Sequence, residues 1–80
     1  MIGMRRIELS PWVRRALGDD LSEAYALLRG RRVNVVARAP HGPFHAIEML
    51  PGGGLSVRDT DALTAITRLV AEMEARDAPG

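Results

Sequence analysis

The amino-acid sequence predicts an α+β fold: a small three-stranded antiparallel meander packed by helices, in the order α-β-β-β-α, with room for a short extra strand at the N-terminus. Three observations predict it. Val33, Val35 and Ala37 alternate with Arg32, Asn34, Val36 and Arg38, a β-branched run of period two. Proline and glycine cluster at residues 40–43 and 51–54, dividing this part of the chain into hairpin-sized pieces. Leu63, Ile66, Leu69, Val70 and Met73 then recur at three- and four-residue steps, the mark of a helix with one apolar face.

Residues 4–9 read as the optional first strand, with Ile7 and Leu9 on one face and Arg6 and Glu8 on the other. Ser10 followed by Pro11 marks a helix start, because a serine side chain accepts from first-turn amides and proline at the first helical position loses no hydrogen bond. Trp12, Val13, Ala16 and Leu17 keep helical spacing until Gly18, Asp19 and Asp20 interrupt. Asp20 and Glu23 have the capping-box spacing, so a second helix is expected over residues 21–29, apolar at Leu21, Ala24, Leu27 and Leu28 and stopped by Gly30. Strands are expected at residues 32–39, 44–50 and 55–58. Asp59, Thr60 and Asp61 supply caps for the last helix, with Thr60 as a cap residue, and residues 77–80 are expected to fray.

Eighty residues allow a single domain, residues 1–80, with a thin margin of core. An apolar fraction of 46% and a charged fraction of 26% are those of a folded chain, not a disordered one. The absence of cysteine removes disulfides and thiolate metal sites. The longest apolar run falls far short of the roughly 20 residues that cross a bilayer, and Met1 to Arg6 are not succeeded by the apolar stretch of a secretory signal. The expectation is a cytoplasmic protein.

Motifs that carry chemistry are few. His41 and His45 are four apart, but prolines on either side of Gly42 argue against a helix, and on an extended chain they would stand about 13 Å apart, too far to share an ion. No cofactor or metal is therefore expected. Gly52, Gly53 and Gly54 lead into a strand, where a phosphate loop would open a helix with lysine and a hydroxyl, so they read as a hairpin turn. No serine sits in a glycine-flanked elbow. Glu48, between Ile47 and Met49, would have a raised pKa if it faced inward, and otherwise faces solvent or pairs with Arg58 across the hairpin. An enzyme would need His41 or His45 to converge with Glu48. Without that set, the sequence is read as non-catalytic.

All eleven basic side chains are arginine, eight of them in the first forty residues against four acids, while the second forty hold three against six. The halves carry +4 and −3 and sum to the net +1. Guanidinium offers a flat fork of donors matched to carboxylate and phosphate, so the expected partner-binding residues are Arg5, Arg6, Trp12, Arg14, Arg15, Arg29, Arg31, Arg32 and Arg38. The leading expectation is a protein-binding module, such as a small inhibitor, an antitoxin or a phage-encoded accessory protein. The alternative is a small α+β domain that contacts RNA or DNA phosphates.

Residues 10–29 have the spacing of a helix-turn-helix, but Asp20 and Glu23 would meet phosphates with the wrong sign. Double-stranded RNA-binding domains are similar in element order, yet their basic start to the last helix is replaced by Asp59, Thr60, Asp61 and Ala62. From Val33 to Met73 the chain resembles the strand-rich domain of HicB-like antitoxins, Pro51-Gly52 matching its turn and Asp59-Thr60 its helix cap, with spacing one residue different. Free sheet edges would also admit a homodimer.

Overall fold

The computed structural model describes residues 7–79. Its elements are β1 (Ile7–Leu9), α1 (Pro11–Leu17), a single 3-10 turn (Gly18–Asp20), α2 (Leu21–Leu28), β2 (Val33–Ala37), β3 (Phe44–Glu48), β4 (Ser56–Asp59) and α3 (Ala62–Asp77). The α+β class is as expected, but the sheet is not a three-stranded antiparallel meander. It has four strands in the order β1-β2-β3-β4, and β1 runs parallel to β2, with Ile7 opposite Val33 and Leu9 opposite Val35. The element order is therefore β-α-α-β-β-β-α. A parallel neighbour requires a long crossover, and α1 with α2 provide it. Three residues are too few to display a period of two; what makes Ile7–Leu9 a strand is the free edge of β2, to which the helical return delivers it. The part of this expected strand at residues 4–6 lies outside the described residues.

The two hairpins keep a continuous register. Val35 faces Ala46 and Ala46 faces Val57, so alternate residues of three strands stack in rows. Pairing runs slightly past the strand ends: the Met49 amide donates to the Arg32 carbonyl at 2.8 Å, and the Glu48 amide to the Leu55 carbonyl at 2.8 Å. Between β3 and β4 the Gly53 amide donates to the Leu50 carbonyl with Pro51 and Gly52 at the corners, Gly52 at φ 80°, as a type II turn demands. Gly54 is held for a different reason. A Cβ there would stand 2.5 Å from the Glu48 carbonyl oxygen.

One face of the sheet carries the core. Leu9, Val33, Val35, Phe44, Ala46 and Val57 pack there against Val13 and Leu17 of α1, Ala24 and Leu28 of α2, and Ala65, Ile66, Leu69, Val70 and Met73 of α3. All three helices therefore lie on the same side. Leu21, Leu27 and Leu63, expected on apolar stripes, are only half-buried at the margin of this cluster.

The expected caps are realised unevenly. Asp61, and not Thr60, caps α3: its carboxylate accepts from the Thr64 amide at 2.9 Å and the Thr64 hydroxyl at 2.8 Å, while Asp59 accepts from the Asp61 amide. Ser10 occupies the N-cap of α1 but makes no side-chain cap bond, because its amide is still on the β1–β2 ladder, donating to the Val35 carbonyl at 3.0 Å. Asp20 makes none either, since the 3-10 turn already satisfies the start of α2 through the Leu21 amide and the Gly18 carbonyl. Asp77 closes α3 with its carboxylate hydrogen-bonded to Arg76.

Candidate functional site

Because the helices take one side, the other side of the sheet is left uncovered by them. Along β2, β3 and β4 the residues of opposite parity point to it. Asn34, Ile47 and Ser56 form one row, joined by Glu8 of β1, and Val36, His45 and Arg58 form the next. Arg38 and Pro43 lie just beyond the strand ends. Val36, Ile47 and His45 are half-buried in this row structure, whereas Arg38 and Arg58 are exposed. Val36, Ala37, Arg38, Pro43, His45 and Arg58 together line a concavity of about 410 Å³.

The electrostatics of this corner are cationic. Burial and then the neighbouring Arg58 hold the His45 imidazole below its usual pKa, so at neutral pH it is a polar, uncharged ring in a concavity that Arg38 and Arg58 also line. The adjacent carboxylates are turned away. Asp59, next in chain to Arg58, points to the helix side, where its Oδ2 lies 3.1 Å from Arg68. Among the described residues, neither Arg38 nor Arg58 forms an ion pair.

Glu48 also faces the helices, which corrects the expectation of a solvent-facing residue or an Arg58 partner. It is 6% exposed and held by both terminal nitrogens of Arg76 on α3, one of them 2.9 Å from Oε2. The Leu55 amide donates to its Oε1 at 3.1 Å. Arg76, with the Leu55 amide helping, depresses the Glu48 pKa against the opposing effect of burial, so the raised value conceivable for an inward glutamate does not arise. His45 and Glu48 stand on opposite faces of β3, and His41 is exposed in the turn before it. The structure does not bring imidazole and carboxylate together.

The nine sequence-predicted residues are dispersed. Arg5 and Arg6 lie outside the described residues. Trp12, Arg14 and Arg15 are exposed on α1, in the helical layer, and Arg29 is exposed at the end of α2. Arg31 is half-buried, with one nitrogen 3.6 Å from Glu74 and another 3.7 Å from the Met73 sulfur, so it is partly engaged by α3. Arg32 and Arg38 are both exposed but flank β2 at opposite ends, about 20 Å apart on an extended chain. Of the seven among the described residues, only Arg38 lines the concavity. Arg58 was not among them; its signal was its parity within the Ser56–Asp59 strand, readable only once the register to His45 and Val36 is known.

The described residues contain no helix long and apolar enough to cross a membrane, and no group of three side chains able to hold a metal ion. No family model, curated protein or solved structure matches the chain.

Proposed function

We propose that the chain is a non-catalytic protein-binding module whose contact surface is the open face of its sheet. The observation that carries this reading is the placement of half-buried Val36 and Ile47 on an uncovered face beside Arg38 and Arg58, two guanidinium groups without an ion pair among the described residues. An apolar centre flanked by arginine is the composition of interface hot spots, where the apolar groups give up water and the guanidinium forks meet acceptors. An inhibitor, an antitoxin or a phage-encoded accessory protein works by contact of this kind. The separation of His45 from Glu48 across β3 supports the non-catalytic part.

The nucleic-acid reading draws on the same two arginines. Against it stand the large aromatic side chains: Trp12 and Tyr25, 38% and 40% exposed, belong to the helical layer, and Phe44 is in the core, which leaves the open face the half-buried His45 imidazole in place of a broad stacking platform. A net charge of +1 adds little general attraction for phosphates. The edge strands β1 and β4 leave a second copy of the chain as one form the protein partner takes.

The test is affinity capture from lysate of the native host, with and without nuclease, using the wild-type chain, the double variant Arg38→Glu/Arg58→Glu and the variant Ile47→Asp. The expected outcome is a protein retained by the wild type after nuclease treatment and lost from both variants, while their melting temperatures stay within a few degrees of wild type, as exposed substitutions allow. Retention by both variants would remove the open face as the contact surface. Recovery that disappears with nuclease would favour the nucleic-acid reading.

A further inference from the structure

We propose that the concavity at the Arg38 end of the open face is a carboxylate receptor, which takes an acidic side chain or a chain-terminal carboxylate of the protein partner between Arg38 and Arg58. The inference deepens the binding reading above and rests on it for the protein that carries the carboxylate. Arg38 comes directly after β2 and Arg58 lies in β4, on either side of β3, so two strand spacings, about 9.6 Å, separate the lines of chain they rise from. Both line the same concavity, together with His45 of the middle strand and Pro43 just before it. Two long, flat donors on opposite walls of one depression suit a planar acceptor with two oxygens, each oxygen taking a fork.

The surroundings sharpen the fit. Val36 and Pro43 contribute apolar surface, which keeps part of the ligand from water and strengthens its attraction to the guanidinium groups. The carboxylates of β3 and β4 are occupied on the other side of the sheet, Asp59 by Arg68 and Glu48 by Arg76. Glu8, the acid on the open face, sits two rows away from Arg38. A carboxylate is favoured over a nucleic-acid phosphate because, among the described residues, the depression carries no Trp, Tyr or Phe and offers a base the small, half-buried His45 imidazole alone.

His45 reports on occupancy. Among the described residues, the charged groups that line its concavity are Arg58 of β4 and Arg38 beyond β2, both cationic, and the three helices pack on the other side of the sheet. Partial burial and then Arg58 disfavour the imidazolium, whereas a bound carboxylate beside the ring favours it. Carboxylate binding therefore raises the His45 pKa, and by linkage the affinity increases as the pH falls through that pKa.

The experiment titrates the full chain with succinate and tracks the His45 ring and the Arg38 and Arg58 Nε resonances by NMR. Saturable shifts at all three are expected, together with a rise of about half a pH unit or more in the His45 pKa at saturation. Arg38→Gln and Arg58→Gln should each weaken succinate binding by about tenfold, and Arg14→Gln should leave it unchanged. Absence of a shift at His45, or undiminished binding in both glutamine variants, overturns the receptor. Saturation of the same three resonances by inorganic phosphate at a tenth of the succinate concentration overturns it in favour of a phosphate site. The two readings fail separately: succinate binding with no captured protein overturns the protein-binding function and leaves the receptor standing, whereas capture that depends on Ile47 without any succinate binding overturns the receptor alone.

Discussion

At the scale of single residues, Glu48 shows how a polar group is accommodated on the core face of a sheet. Alternation along β3 points it inward beside Phe44 and Ala46, and α3 brings Arg76 over it, so that its oxygens are satisfied by a guanidinium fork and a backbone amide. Glu48→Gln removes the charge of that pair and leaves Asp77 as the remaining acidic partner of Arg76 among the described residues, at an expected cost of about 1–3 kcal/mol in denaturant unfolding. Ser10 is the converse case. Its hydroxyl is buried, makes no cap bond and has no hydrogen-bond partner among the described residues. Ser10→Ala should therefore cost less than about 0.5 kcal/mol or be stabilising, against the ~1 kcal/mol usual for loss of a helix cap. A measured loss above that usual figure would show the hydroxyl to be bonded. From the sequence, Glu48 read as facing solvent or pairing with Arg58, with a raised pKa only if it faced inward, because the residue that occupies it is 28 positions away.

The secondary-structure elements differ in how much of their definition is local. Helix α3 is the most self-sufficient: its apolar spacing and the Asp59–Asp61 start were legible, and only the identity of the cap, Asp61 in place of Thr60, needed the folded structure. The same contrast makes a paired prediction. Asp61→Ala should destabilise the fold by about 1 kcal/mol, because it takes away the acceptor for two Thr64 donors. Asp20→Ala should change stability by less than about 0.5 kcal/mol, since the 3-10 turn already supplies the partners a cap would offer. Equal losses in chemical denaturation would contradict this difference in capping. Strand β1 sits at the other extreme, with three residues whose conformation is dictated by the neighbour they pair with.

For the whole molecule, the pH dependence of stability comes from groups whose folded state alters proton affinity. Arg76 holds Glu48 below its ordinary value of 4.5, and backbone amides with Arg68 lower Asp59, so these carboxylates stabilise the fold above the ordinary carboxylate range and lose that contribution as pH falls through their folded values. His45, held below its ordinary 6.5 chiefly by burial, adds a smaller loss of the same sign as pH falls from above that value towards its folded pKa. The melting temperature should thus decline gently near pH 6 and steeply below pH 4, with the acid decline shallower in Glu48→Gln. An unchanged acid slope in that variant would place the acid sensitivity elsewhere.

The local chemistry of the chain determined the α+β class, the two hairpin turns, the alternation of β2 and the apolar stripe of α3, because each of these is written in neighbours a few residues apart. The tertiary structure alone decided that β1 joins the sheet in parallel, that all three helices lie on one side, and that Glu48 belongs to Arg76. It also decided which arginines share a surface. Charge counted along the chain divides it into a basic front and an acidic back, but folding lays α3 against α1 and α2, engages Arg31 with Glu74, and sets Arg58 from the acidic half beside Arg38 from the basic half. Proximity across strands depends on register, and register is set by the packing of the whole sheet against its helices, a quantity that no local window of residues contains.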